Sequence, residues 1–233
     1  ESVLVLTKGG YVKRTNPDEY RKQKRGGVGV VDLDTKEEDF ISHLVFATTH
    51  NDLLFFSDKG KAYQIKMYDI PEGKRATKGK SIMNFLSLAE GENVTSILPM
   101  PKNKKEAEDL SLIMITKNGT GKKTSAKHFK DVRRSGLIAI TLDDGDELIS
   151  ASFVSKNDNV VIATREGQSI RFKESDVREM GRNATGVRVI KIADGKNADN
   201  VISADVVSSD AKNPALFVMG ANGYGKKTKL SEY

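Results

Sequence analysis

Ile113-Met114-Ile115-Thr116-Lys117-Asn118-Gly119-Thr120-Gly121-Lys122-Lys123-Thr124 is a run of strand formers, an Asn-Gly pair, and then a polar, basic run. Asn-Gly between strand-like segments is the strongest short-range hairpin signal, and it predicts a type I′ turn with both central residues at positive φ. The segment before Gly119 is continuously apolar instead of alternating, which predicts a strand buried on both faces. The segment after it is polar and basic, and is expected nearer a rim.

The same pattern recurs along the chain. Val3 to Leu6 precede Gly10, Leu53 to Phe56 precede Gly60, Val160 to Ile162 precede Gly167, and Leu216 to Met219 precede Gly223. Ten residues after each turn glycine stands a large apolar side chain: Tyr20, Ile70, Phe129, Val177 and Tyr233. A second glycine follows 17 to 19 residues after the first (Gly29, Gly79, Gly136, Gly186) and opens another apolar run. Acidic clusters (Glu37 to Asp39, Glu90 with Glu92, Asp143 to Glu147, Asp199) lead into a further strand and are expected to gather at their own equivalent point. The unit is therefore about four strands in about fifty residues, repeated over roughly 1–36, 37–89, 90–142, 143–193 and 194–233. Radial repetition of such a unit is the signature of an all-β, propeller-like ring of four-stranded blades forming a single domain over 1–233.

Composition narrows the function classes. The chain has 233 residues, 38 Lys and Arg against 32 Asp and Glu, and no cysteine. Disulfides, thiolate metal sites and thiol nucleophiles are thus excluded, and a reducing compartment fits. The three histidines, His43, His50 and His128, do not stand at metal-ligand spacing, so no metal site is expected. No apolar run approaches the length of a membrane span. The start at Glu1, inside a strand-like run, reads as a domain cut from something longer. Gly220 to Lys226 imitates the start of a phosphate-binding loop, but Lys227 stands where a Ser or Thr should meet magnesium, and a strand follows instead of a helix. No nucleophile–base constellation appears, so the chain is not expected to be an enzyme by itself.

The basic residues are the remaining candidates. Three and four positions past the turn glycine stand Lys13-Arg14, Lys122-Lys123, Arg171 and Lys226-Lys227, with Tyr63-Gln64 in the second repeat. Past the apolar anchor come Arg21-Lys22, Lys24-Arg25, Lys74-Arg75, Lys78, Arg133-Arg134, and Arg178 with Arg182. Equivalent offsets in a rotational repeat lie on one rim, so these side chains are expected to form a belt for a polyanion. Bending a duplex through half a turn over roughly 20 bp costs on the order of 20 kcal/mol by a smooth elastic estimate. At roughly 1.5–3 kcal/mol each, about ten phosphate contacts would offset that cost. Such contacts reach backbone and not bases, so low sequence selectivity is expected.

Gln23-Lys24-Arg25-Gly26-Gly27-Val28-Gly29 resembles the Q-R-R-G-G-K-G box of the DNA gyrase A C-terminal domain family, with Lys24 and Val28 departing from it. Tyr11-Val12-Lys13, Asp69 to Glu72, Ile170-Arg171-Phe172, Met180-Gly181-Arg182 and Gly223 to Lys226 extend the resemblance over the whole chain. The resemblance implies a β-pinwheel, a propeller-like disc whose blades exchange strands. It implies non-sequence-specific wrapping of double-stranded DNA round a basic edge, which gives the type II topoisomerase its directional, ATP-driven negative supercoiling. Partners implied are the N-terminal part of the gyrase A subunit, together with the gyrase B subunit, in an A2B2 holoenzyme in the bacterial cytoplasm at the nucleoid. ATP and magnesium would be used elsewhere in that holoenzyme, with no cofactor in this domain. The family's disc has six blades, and the fifth repeat here stops at Tyr233, so an incomplete disc is expected. Alternatives are the related domain of topoisomerase IV, which lacks the box, and a propeller-type protein-interaction scaffold, which would not explain the basic register. The absence of Trp speaks against WD-type repeats.

Overall fold

The computed structural model describes residues 1–20, 39–74, 76–102, 104–193 and 198–233, and the side chains of all these except 104–106. Among the described residues the chain is all-β apart from one short helix, Lys104–Asp109, and several 3-10 turns. It forms two compact units, one of residues 1–108 with 127–139 and one of residues 109–126 with 140–233.

In the first unit, β1 (Ser2–Thr7) and β2 (Tyr11–Thr15) form the first hairpin, flanked by β3 (Ile41–Ala47) beside β1 and β6 (Lys80–Ser81) beside β2. The second sheet repeats the order, with β4 (Asp52–Ser57) and β5 (Lys61–Lys66) as hairpin, β7 (Val94–Pro99) beside β4 and β10 (Leu137–Ile138) beside β5. In the second unit, β8 (Ser111–Thr116) and β9 (Thr120–Ser125) are flanked by β11 (Leu148–Val154) and β14 (Val187–Arg188). A three-stranded sheet of β12 (Asn159–Thr164), β13 (Ser169–Lys173) and β15 (Val201–Val207) follows, and then the two-stranded hairpin of β16 (Ala215–Met219) and β17 (Gly225–Lys229). Every pairing between these strands is antiparallel.

The fourth strand of each complete sheet is not local. β6, β10 and β14 open at the second glycine of the following repeat and complete the sheet of the repeat before it. The strand exchange implied by the family resemblance is therefore present in the first three sheets. It explains why the polar strands after the turns are not open rims: Val12, Lys13 and Thr15, and likewise Gly121, Lys122 and Thr124, are buried. The preceding strands are buried as expected, β1 over its whole length and β4 and β8 over all but their first residue. β16 is the exception, with Phe217 at 63% exposure in a sheet of only two strands.

The turns differ from the predicted type I′. In each of the first four hairpins the turn glycine's N–H donates to the carbonyl three residues back: Gly10 to Thr7, Gly60 to Ser57, Gly119 to Thr116, Gly167 to Thr164. Only the glycine lies at positive φ, +87° at Gly119, while Asn118 does not. This is the tight turn followed by a left-handed glycine that ends in a bulge. The hydroxyl at the turn's first residue closes it again by accepting the N–H just past the glycine: Tyr11 donates to Thr7 (3.1 Å), Lys61 to Ser57 (3.3 Å), Thr120 to Thr116 (3.1 Å) and Gln168 to Thr164 (3.1 Å). A Ser or Thr three residues before each of these four turn glycines is the readable signal for this geometry.

The second glycines serve close approach. A Cβ on Gly186 would stand 2.5 Å from the carbonyl oxygen of Gly121, and φ there is +117°. Gly145, at φ +74°, has nothing within 4 Å of a Cβ. Gly145→Ala should therefore cost only the left-handed penalty of about 1–2 kcal/mol. Gly186→Ala should cost at least about twice that in denaturant unfolding, because β14 can no longer seat on β9.

Candidate nucleic-acid interface

The predicted belt divides into two populations. At three and four residues past Gly10 and Gly119, the basic side chains are consumed inside the protein. Lys13 is 2% exposed, and its ammonium donates to the carbonyl of Lys74 at 3.3 Å. Lys122 is fully buried and donates to the carbonyls of Gly181, at 3.1 Å, and of Arg182. Arg14 donates from Nε to the Ile70 carbonyl (3.3 Å) and from Nη1 to Ser2 Oγ (3.4 Å), and pairs with Glu72 at 3.6 Å. Lys123 donates to the Glu174 carbonyl at 3.0 Å and is paired with the Glu174 carboxylate. These four residues are thus corrected as rim contacts: an ammonium or guanidinium bonded to internal carbonyls and carboxylates is not presented to a phosphate. The physical reason is the exchanged strand and anchor turn of the following repeat, which cover the strand these residues stand on.

Burial has an electrostatic consequence at Lys122. Loss of hydration, with the Arg182 guanidinium nearby, pushes its ammonium down to about 8. The second repeat replaces the lysine with Tyr63, whose hydroxyl donates to Glu92 at 2.7 Å. Burial tends to push Glu92 up, but hydrogen bonds from Ser57, from the Ala89 N–H and from Tyr63, with the charge of Lys61, outweigh it and hold the carboxyl below its ordinary value.

The acidic clusters also have a local task. Asp39 accepts the Gly9 N–H at 2.8 Å, Asp146 the Asn118 N–H at 3.0 Å, and Asp199 the Glu166 N–H at 3.0 Å. Each acceptor grips the residue just before a turn glycine. In three of the four clusters one carboxylate is therefore a clamp on the hairpin of the preceding repeat.

The second population follows the apolar anchor. Lys74, Arg133 and Arg134 are exposed, and Lys78 and Arg182 half-buried. The anchors hold these loops, with Ile70 and Phe129 fully buried and Val177 2% exposed. Arg134 pairs with Asp69 at 2.9 Å but keeps 58% of its side chain exposed, and the Lys78 ammonium lies 4.0 Å from the centre of the Tyr11 ring. Arg171, Lys226 and Lys227 are exposed too, with Arg171 donating to the Leu230 carbonyl at 2.8 Å. Lys74 and Arg133 stand fourteen residues past their turn glycines, and Arg134 and Arg182 fifteen. Lys24 and Arg25 have the same offsets, but Arg21, Lys22, the box from Gln23 to Gly29, and Arg75 lie outside the described residues. Among the described residues no cluster of His, Asp or Glu could hold a metal ion, and no helix is long and apolar enough to cross a membrane.

Repeated hairpins completed by a strand from the next repeat, with cations on the intervening loops, define a propeller-type domain of the strand-exchanging kind. Comparison with known proteins makes this specific. The family model described as DNA gyrase C-terminal domain, beta-propeller, matches residues 1–47, 51–99, 111–155, 158–208 and 215–233, and the chain belongs to that family. It is 43% identical over 231 residues to the DNA gyrase A subunit of Escherichia coli K12, a match that covers 99% of this chain and 25% of the relative. The chain thus spans about a quarter of the length of that relative. A solved structure of the DNA gyrase A C-terminal domain superposes with a TM-score of 0.80 at 30% identity, covering 99% of this chain and 72% of that one. The C-terminal domain of DNA topoisomerase IV superposes at 0.73 with 25% identity, covering all of this chain and 68% of that one.

The Glu92 cluster yields a pH prediction. A carboxyl held below its ordinary value contributes stability that is fully present above about pH 4.5 and is lost as pH falls through its lower folded value. Glu92→Gln should be less stable than the parent at pH 7, and the difference should shrink under acid, as read from urea midpoints between pH 7 and pH 3.

Proposed function

We propose that this chain binds double-stranded DNA through its post-anchor loops, without sequence preference, and wraps it so that the parent DNA gyrase introduces negative supercoils. The observation that carries the reading is the register of Lys74, Arg133, Arg134 and Arg182, basic residues fourteen or fifteen positions past the turn glycine in three successive repeats, on loops fixed by buried anchors. Arg171, Lys226 and Lys227 extend the contact, and Arg21, Lys22, Lys24, Arg25 and Arg75 have the matching sequence positions. The family membership supports the same role.

Phosphate contacts of this kind fix position and leave sequence unread. The chain acts as an accessory domain and performs no chemistry, the ATP and magnesium steps belonging to other parts of an A2B2 holoenzyme. Its partners are DNA, the N-terminal part of the gyrase A subunit, and the gyrase B subunit, in the bacterial cytoplasm at the nucleoid. The topoisomerase IV domain also superposes well, so the equivalent role in that enzyme is the second reading. The box-like Gln23 to Gly29 favours gyrase.

The test is the chain with relaxed closed-circular DNA and a nicking–closing enzyme. Salt-sensitive binding with a change in linking number is expected, and the absence of both would overturn the reading. Arg133→Ala with Arg134→Ala should lower the slope of log affinity against log salt by about 2.

A further inference from the structure

Lys13 and Lys122 are buried cations in equivalent places, and packing alone does not account for them. A methionine would fill the same channel without the desolvation cost of an ammonium. What only a lysine supplies is a set of donors at the end of a long stem, and both stems end at the same target. Lys13 reaches the carbonyl of Lys74, and Lys122 reaches that of Gly181, each fourteen residues past the next turn glycine. Lys122 also reaches the carbonyl of Arg182.

The intervening interface, which has Tyr63 instead of lysine, shows that the target matters more than the device. There the Ser87 N–H donates to the Arg134 carbonyl at 3.1 Å, and Asp69 holds the Arg134 guanidinium. The main chain carrying the loop cation is thus pinned in all three repeats, by a different donor where the lysine is missing.

We infer that Lys122 and Lys13 are positioning residues, bracing the backbone of the next repeat's basic loop so that Arg182 and Lys74 are presented to duplex phosphates. The inference rests on the DNA-binding reading above. Proximity of the Arg182 charge to Lys122 adds a coupling. A phosphate docked on Arg182 neutralises a repulsion that the buried ammonium otherwise bears, so brace and ligand favour each other.

The experiment measures affinity for a mixed-sequence duplex over a salt series, with the full chain and the variants Lys122→Met, Arg182→Ala and the double. Arg182→Ala should weaken binding about three- to ten-fold and lower the salt slope by about 1. Lys122→Met should do the same although its side chain never meets solvent, and the double should be no more than about two-fold weaker than either single variant. A second measurement leaves Lys122 in place and covers the case in which the methionine variant does not fold. The ¹⁵N resonance of the Lys122 ammonium should be slow to exchange and should shift when the duplex is added to the parent chain, but not to Arg182→Ala. A folded Lys122→Met with parental affinity and slope, strictly additive losses, or an ammonium resonance indifferent to DNA would each overturn the brace. If the parent chain itself does not bind the duplex, the DNA reading fails first.

Discussion

The structure depends on one edge being covered from outside its own repeat. A hairpin such as β8–β9 presents a row of free main-chain groups along β9, and such an edge is a liability unless it is paired. Here the two-residue strand β14 supplies the pairing, Val187 opposite Gly121 and Arg188 opposite Thr120. Because β14 arrives from the next repeat, each complete sheet is closed only when its successor is folded. The second glycines follow from this demand, since a side chain at Gly79 or Gly186 would collide with the carbonyl of Val12 or Gly121.

The same constraint sorts the charges. Once the second hairpin strand is covered, its buried cations and Tyr63 find their partners in the covering repeat. Lys13 and Lys122 are satisfied by carbonyls, Tyr63 by Glu92, and Lys123 by Glu174. Residue type says a lysine is charged, and only topology says whether water or protein surrounds it.

That is why the hairpins and the repeat are legible in the sequence and the interface is legible only in part. The buried runs before Gly10, Gly60 and Gly119, and the anchors Ile70 and Phe129, follow from local patterning, which needs no knowledge of neighbours. The strand exchange is implied by family resemblance alone, because the second glycines announce a further strand but nothing local says that β6, β10 or β14 joins the sheet of the repeat before it. The turn departs from expectation because Asn118-Gly119 matches the type I′ preference, while Thr116 and the Asp146 clamp favour a turn with a single left-handed residue. Lys122 departs from the expected rim for a longer-range reason: the groups that bury it lie about sixty residues away.

Removing the four internal cations changes the energetics of the proposed wrap. The exposed cations among the described residues of the proposed interface are Lys74, Arg133, Arg134, Arg171, Lys226 and Lys227, with Arg182 half-exposed. At roughly 1.5–3 kcal/mol each, they offset about 10–20 kcal/mol, against on the order of 20 kcal/mol for half a turn over roughly 20 bp. Elastic cost rises with the square of the angle, so a bend of half that angle over the same length costs only about a quarter as much. On the proposed reading these cations would hold a gentle bend easily and a half-turn only at the limit of their capacity. A tight wrap must accordingly draw on every loop that shares their offset, and the precision with which each cation is presented then matters more than the number of basic residues in the chain.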